Sequence, residues 1–439
     1  MVPAKGKTPW LIGWSLENHR HSGKAAIHGP SGPVTVQVAD MPLLEQSVEL
    51  LLQEQEIRIR WQQDELWGYV ASLVAHAAAA KDKGHAIREN LQTLRTAHRS
   101  LVVFSIANVV WMGDPRLVGN VLLGQFTDAW IEAVKNNAAQ SPARLNSESF
   151  EEWTEEQREQ NENLRSVGAN ELVMGACWTV GQGGLAVRQA ERALTTLVDL
   201  CVLLTGDERS YRFAGMGGHI NRPGLRGVAL DRGAITEYLS KGARGLSKGP
   251  GVAELVSNIY VLSPIPQGAE HLWCSAEPFP LADALSTEGA SALISAILAD
   301  KMIVGRRLRV ASRWFGEYHW ATESDDAALA LGVALDSLIG SKSGLPGRAM
   351  AERFALLEPV TSSRRDRADQ YNEIFGVRSS VAHGSRSSKL DDPDYVRKMA
   401  ADVKWAAGRV IDLEQRFEPS TEREFETLFE DLRWGVRTW

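Results

Sequence analysis

Arg378 and His383 close an apolar helical pattern that stops at Gly384, within the stretch YNEIFGVRSSVAHG that runs from Tyr371 to Gly384. An arginine and a histidine held close together can act on a phosphodiester without a metal ion. The imidazole moves a proton near neutral pH. The guanidinium offers a planar fork of donors to the extra negative charge of a phosphorane-like transition state. The spacing alone says little, because Arg212 with His219 and Arg313 with His319 also fit a loose Arg-x(4–6)-His pattern. Context separates them. Arg212 and His219 fall in a glycine-rich loop with no helical frame. Arg313 and His319 lie beside Trp314 and Tyr318 and read as packing or dimer-surface residues.

Five residues turn an α-helix by about 500°, which leaves Arg378 and His383 roughly 140° apart on the cylinder. They converge if the last turn distorts where Gly384 ends the helix, as glycine at that position permits, or if a second protomer supplies the missing half. Residues 364–389 hold Arg364, Arg365, Arg367, Arg378, Arg386 and Lys389 against Asp366, Asp369 and Glu373. That is a local net of +3 on a chain of net −7. Such a patch suits a phosphate backbone; a solvated face with ordinary ion pairs is the alternative. The overall charge excludes a chain that coats nucleic acid by bulk charge.

The elements that must position these residues form a regular series from about residue 290. A first helix is expected over roughly 290–319, with Val304, Leu308, Ala311 and Phe315 on one face. A second begins at the capping run Ser324-Asp325-Asp326, carries Ala328, Leu331, Leu335 and Leu338, and stops at Gly340. A short helix from Arg348 to Leu357 follows, closed by Pro359. The next covers Arg365 to His383. The last runs from Asp394 to Phe417, with Val396, Met399, Val403, Ala406, Val410, Leu413 and Phe417 in the three-four stripe of a bundle helix. Short loops predict antiparallel neighbours. The tail from Glu418 to Trp439 has Phe425, Leu428, Phe429 and Leu432 at helical spacing and reads as a packed helix; exposed Trp434 and Trp439 would instead favour a partner-binding segment.

Upstream, helices are expected over Leu43–Leu52, Leu66–Ala80, His85–Val110, Leu117–Val134 and Leu185–Leu204. Alternation predicts a strand at Val34–Val38, and it allows one at Ile57–Trp61. The segment from Asn146 to Asn163, with seven glutamates, reads as a solvated helix or a linker. Residues 205–268 are loop-rich, and Pro280–Leu285 is a further break. The periodicity of the N-terminal region also allows a second bundle. The fold class is therefore mainly α: a C-terminal helical bundle after a larger, mostly helical region with some β and loop-rich segments. The domain boundaries are 1–145, 146–289 with the linker, 290–417 for the bundle and 418–439 for the closing helix.

Composition is that of a globular chain, 44% hydrophobic and 23% charged. Cys177, Cys201 and Cys274 are too few and too scattered for a disulfide framework or a thiolate zinc site, so a reducing, cytoplasmic setting is expected. No apolar run has the length of a signal core or a membrane span; Leu101–Met112 comes nearest. Gly181-Gln182-Gly183-Gly184 resembles a phosphate-binding turn but lacks the full fingerprint and the lysine, and reads as a helix-entry loop. Glu17, His19 and His21 have strand spacing for a metal but no third distant ligand. No metal or other cofactor is expected.

The region from about 290 to 417 resembles a HEPN domain, most closely the Apea-like HEPN group. The resemblance rests on Tyr371 followed by Val377–Gly384, on the preceding helices with Ala311–Phe315 and Leu331–Ile339 (including Asp336), on the short helix at Arg348–Leu357 and on the long closing helix. It covers a little under a third of the chain. It implies a homodimeric bundle whose Arg-His motifs face each other across a cleft, forming a metal-independent endoribonuclease site. It also implies a toxin or anti-phage effector, with an antitoxin or phage-derived trigger as possible partner and no membrane contact. Arg378 and His383 would be catalytic, and Tyr371, Ser379 and Arg386 would bind RNA. The same group includes modules that bind RNA, nucleotide or protein without cutting.

Overall fold

The computed structural model describes residues 24–29, 32–95, 100–107, 109–140, 173–181, 183–205, 215–216, 259–262, 279–287, 289–321, 323–341 and 344–439, with helical positions at Glu151, Thr154, Glu155, Arg158 and Glu162. The elements are β1 (Lys24–Gly29), β2 (Gly32–Gln37), α1 (Met41–Gln53), α2 (Gln55–Arg58), α3 (Gln63–Ala79), α4 (Lys83–Arg95), β3 (Ser100–Ala107), β4 (Val109–Val110), β5 (Arg116–Val118), β6 (Val121–Gln125) and α5 (Asp128–Gln140). They continue as β7 (Val173–Thr179), α6 (Gly183–Thr205), β8 (Gly215–Met216), β9 (Ile259–Leu262), β10 (Phe279–Pro280), α7 (Leu281–Ser286), α8 (Ala290–Leu298), α9 (Gly305–Trp320) and α10 (Ser324–Ile339). The last four are α11 (Gly347–Leu356), α12 (Arg364–Ala382), α13 (Pro393–Phe417) and α14 (Glu422–Arg433). The protein is mainly α with some β. Two compact units divide it, one of Met1–Ser105, Val121–Arg192 and Asp231–Pro264, the other of Ile106–Asn120, Ala193–Leu230 and Ile265–Trp439.

In the first unit, β1 and β2 form an antiparallel hairpin in the register Lys24 to Gln37. Helices α1 to α4 bury Leu44, Val48, Ile57, Trp61, Leu66 and Leu94 in one cluster. The Trp61 indole donates to the Leu94 carbonyl at 3.0 Å. Ile57 and Trp61, which alternation allowed as a strand, are instead the buried positions of a helical turn four residues apart. A second cluster joins Leu101, Val103, Leu122, Phe126, Trp130 and Met174. Here two expected helices give way. His85–Val110 is helical only to Arg95 and then becomes β3, whose Leu101–Phe104 pairs in parallel with β9. Leu117–Val134 contains β6, antiparallel to β7, before α5 begins. A continuous apolar run does not distinguish a buried strand from a buried helix. These strands stand beside the packed helices α1 to α4. Gly175 lets β7 lie against Phe104: a Cβ there would sit 2.3 Å from the ring.

The second unit holds the helices of interest. Leu281, Ala282, Ala284 and Leu285 are buried in α7, where a break was expected. The expected helix 290–319 is two helices. Asp300 takes a left-handed backbone (φ 55°), and the Lys301 and Asp300 amides bond the Ala296 and Ile297 carbonyls. That is a Schellman stop, and it ends α8. The carboxylate of Glu414 then receives the amides of Ile303 and Val304, each at 2.9 Å, and so caps the start of α9. The expected face of α9 is buried in full: Val304, Leu308, Ala311 and Phe315. So is that of α10, with Ala328, Leu331, Leu335 and Leu338. Glu323, rather than Ser324, is the N-cap of α10, and it makes no side-chain cap bond. Helix α9 packs along α10, α10 along α13, and α11 along α12. Val396 and Phe417, at the ends of the α13 stripe, are only half-buried. Asp392 and Thr421 cap α13 and α14 with side-chain bonds to Asp394 and Glu424 amides.

Two guanidiniums fasten this bundle. Arg307 on α9 is 8% exposed and bonds Glu422 and Glu426 of α14. It also donates to the carbonyls of Leu338 and Gly340, which end α10. Arg353 on α11 donates to the carbonyls of Ile339 and Gly340 and lies over the Phe429 ring. Phe425, Leu428, Phe429 and Leu432 are buried, as a packed tail helix requires, while Trp434 is exposed and the Trp439 indole bonds the Leu356 carbonyl. Removing one partner of a buried pair strands the other charge, so Arg307→Ala should cost about 3 kcal/mol. The exposed pair of Arg397 with Asp394 should cost less than about 1 kcal/mol on Arg397→Ala. Urea unfolding of both variants checks this; equal losses would mean that Arg307 is not the fastening.

Candidate functional site

Helix α12 carries the Arg-His pair and ends as the glycine implies. Gly384 has φ 75°, and the amides of Ser385 and Gly384 bond the carbonyls of Ser380 and Val381. His383 is the C-cap residue and is exposed. The helix remains regular to that point, so Arg378 and His383 stay on different faces of it. Arg378 turns inward to α10, where its Nη1 donates to Asp336 Oδ2 in a short ion pair. Tyr371, 1% exposed, donates from its hydroxyl to Asp336 Oδ1 at 2.7 Å. One carboxylate thus holds Tyr371 and Arg378 of α12. Gly332 lies under the arginine stem: a Cβ there would stand 2.6 Å from Arg378 Cδ. An alanine at 332 would push the guanidinium off Asp336.

Burial pushes the Asp336 carboxyl above the ordinary carboxylate range, while the Tyr371 bond and the Arg378 charge pull it back. Burial, then the Asp336 charge, drives the Tyr371 phenol far up, so it stays a hydrogen-bond donor. Tyr371 therefore positions and does not face outward as an RNA-binding group. Ser379 is half-buried and its carbonyl accepts the His383 amide. Arg386 is exposed and paired with Asp391 at 2.5 Å.

The basic patch counted along the sequence is mostly balanced in space. Arg378 pairs with Asp336, Arg386 with Asp391 and Lys389 with Glu373. Arg367 lies over Trp405 at 3.9 Å and pairs with Glu358 and Asp402. Asp336, Glu358, Asp391 and Asp402 all lie outside residues 364–389, which is why a local count missed them. Arg364 donates to the Glu358 carbonyl, and Arg365 is exposed.

The other motifs resolve as packing. His319 lies against Phe315 and Tyr318, and Arg313 is exposed. The Gly181 amide is taken by Gln189 Oε1 at 2.8 Å, which makes it a helix-entry contact. Cys177 and Cys201 are buried, and burial drives both thiols far up. Glu17, His19, His21, Arg212, His219 and Cys274 lie outside the described residues. Among the described residues, no group of three or more His, Cys, Asp or Glu is placed to hold a metal ion, and no helix is long and apolar enough to cross a membrane. No family model, no curated protein and no solved structure matches the chain.

Asp402 was not read from the sequence. It is 7% exposed, accepts from the Gln370 side-chain amide nitrogen, which stands 2.7 Å from each carboxylate oxygen, and is pushed up to about 6 by burial against the pull of Arg367 and Gln370. An acid raised in the folded state keeps a proton that the unfolded chain loses from about pH 4. Its contribution to stability is therefore present at low pH and lost as pH rises to about 6. The neutral variant Asp402→Asn escapes this loss. Its stability relative to wild type should rise between pH 4.5 and 7.5, by at most roughly 3 kcal/mol. Urea unfolding at both pH values reads the difference; a pH-independent offset would place the carboxylate in an unperturbed setting.

Proposed function

We propose that the chain is a HEPN-type, metal-independent endoribonuclease that works as a homodimer through its C-terminal bundle. The observation that carries this reading is the exposed His383 at the glycine-stopped end of α12, five residues beyond an arginine oriented by Asp336. His383 would take the proton from an RNA 2′-hydroxyl. The 2′-oxygen then bonds the adjacent phosphorus, the bond from phosphorus to the 5′-oxygen breaks, and that oxygen leaves as a hydroxyl after receiving a proton. The products are a 2′,3′-cyclic phosphate and a 5′-hydroxyl end. Arg378 bonds Asp336 through Nη1, which leaves the rest of its fork for a non-bridging phosphate oxygen. Because the two side chains occupy different faces, a second copy of the chain completes each site. A toxin or anti-phage role in the cytoplasm, controlled by an antitoxin or a phage-derived trigger, accords with this chemistry.

A second reading has its own support. The charges of Arg378 and Arg386 are already met by Asp336 and Asp391. A non-catalytic module of the same fold, binding RNA, nucleotide or a partner protein, would be built in that way.

Purified wild type should cut total RNA or tRNA in EDTA and leave cyclic-phosphate ends. His383→Ala should lose at least ~10²-fold in rate. Cutting that survives His383→Ala, or that EDTA abolishes, would refute the mechanism. No cutting by either protein would favour the binding module.

A further inference from the structure

Among the described residues, a concentration of unbalanced positive charge near α12 lies away from the Arg-His pair, in a groove of about 640 Å³ between α11 and α12. Arg348, Arg364, Arg365 and Arg433 line it, with Glu352 as the only acid and Asn372 at one side. Arg433 uses Glu352, at 2.8 Å. Arg364 gives its Nε hydrogen to a backbone carbonyl, so its charge is not neutralised. Arg348 and Arg365 are exposed, and among the described residues neither pairs with a carboxylate. Every other cation of α12 and the turn after it has an acidic partner. Like charges gathered in a concavity repel one another, and an anion that several guanidiniums can share relieves that repulsion. Alanines of both helices make up much of the remaining lining, so nothing bulky screens the guanidiniums from a ligand.

The groove also shares a face with the histidine. Arg365, Ala368, Asn372, Ser379 and His383 follow at steps of three, four, seven and four along α12. Eighteen residues are five full turns, so Arg365 and His383 lie in line about 27 Å apart. We propose that this groove binds consecutive phosphates of a single-stranded oligonucleotide, whose backbone then follows the exposed face of α12 to His383. The groove is thus a phosphate anchor distant from the cleavage point. The strand's path to His383 rests on the nuclease reading; phosphate binding in the groove does not.

The test uses the full chain and a fluorescent 2′-O-methyl oligonucleotide of about 12 nucleotides, which has no free 2′-hydroxyl and so is not cut. Anisotropy titrations at several salt concentrations compare wild type with the double variants Arg348→Gln/Arg365→Gln and Arg348→Lys/Arg365→Lys. The glutamine pair should weaken binding at least tenfold and flatten the plot of log affinity against log salt by about 1.4, the value for two lost phosphate contacts on a single strand. The lysine pair should keep most of the slope. Arg397→Gln, an exposed and paired position on α13, should match wild type. Wild-type affinity and slope in the glutamine pair would overturn the proposal. So would displacement of the oligonucleotide by equimolar ATP, which would make the groove a site for free nucleotide. Tight, groove-dependent binding without any RNA cutting would retain the anchor and reject the nuclease. His383-dependent cutting with unchanged KM in the glutamine pair would do the reverse.

Discussion

The carbonyl end of α10 is the point on which the described bundle depends. A helix terminus leaves its last carbonyls without amide partners, and burying them unpaired costs free energy. Here Arg307 and Arg353 reach that end from two different helices and take the carbonyls of Leu338, Ile339 and Gly340. Each guanidinium also suits the negative end of the helix dipole. At Gly340 a Cβ would lie 2.6 Å from the Asp336 carbonyl oxygen, so glycine lets the chain leave α10 tightly against its own last turn. Because Arg307 is held in turn by Glu422 and Glu426, the closing helix α14 becomes part of the same fastening.

The consequence reaches the motif through one residue. Asp336 stands less than a turn before the fastened end of α10, so its carboxylate is fixed relative to α9, α11 and α14 together. From there it grips Tyr371 and Arg378, which lie two turns apart on α12. The rotation of α12 about its own axis is thereby set, and with it the direction of the opposite face. His383 is exposed because Arg378 is held inward. The pair that looks like one catalytic unit in the sequence is therefore divided in the fold: one member is tied to the scaffold and the other is presented by it.

How far this was legible follows from what kind of information each feature uses. The faces of α9, α10 and α14 could be read because a three-four spacing of apolar residues means the same thing in any bundle. Gly384 as a helix stop could be read because a left-handed residue there strongly favours glycine. The strands β3 and β6 could not. Leu101–Phe104 is apolar without alternation, and its pairing with Ile259–Leu262 is a long-range event that local periodicity does not contain. The split at Asp300 was missed for a related reason: a non-glycine residue in the left-handed region gives no strong signal. Asp336 was noticed in the sequence, but its partners were not, since they lie on another helix.

Charge shows the same limit most sharply. Counting residues 364–389 gives a net of +3, yet Asp336, Glu358, Asp391 and Asp402 come from outside that window to balance most of its cations. Arg348 and Arg433, which make the groove beside Arg364 and Arg365 basic, also come from outside it. A local sum was close to right in sign and wrong in place. An ion pair removes a cation from the field that a distant anion feels, whereas a bond to a neutral carbonyl does not. Arg364 and Arg378 therefore differ in kind although both are hydrogen-bonded: the first keeps its charge for a ligand, and the second has spent most of it on Asp336. The groove lined by Arg348, Arg364 and Arg365 therefore presents more unpaired positive charge than the surroundings of Arg378. Arg378 can act only at short range, through the edge of its fork that Asp336 leaves open.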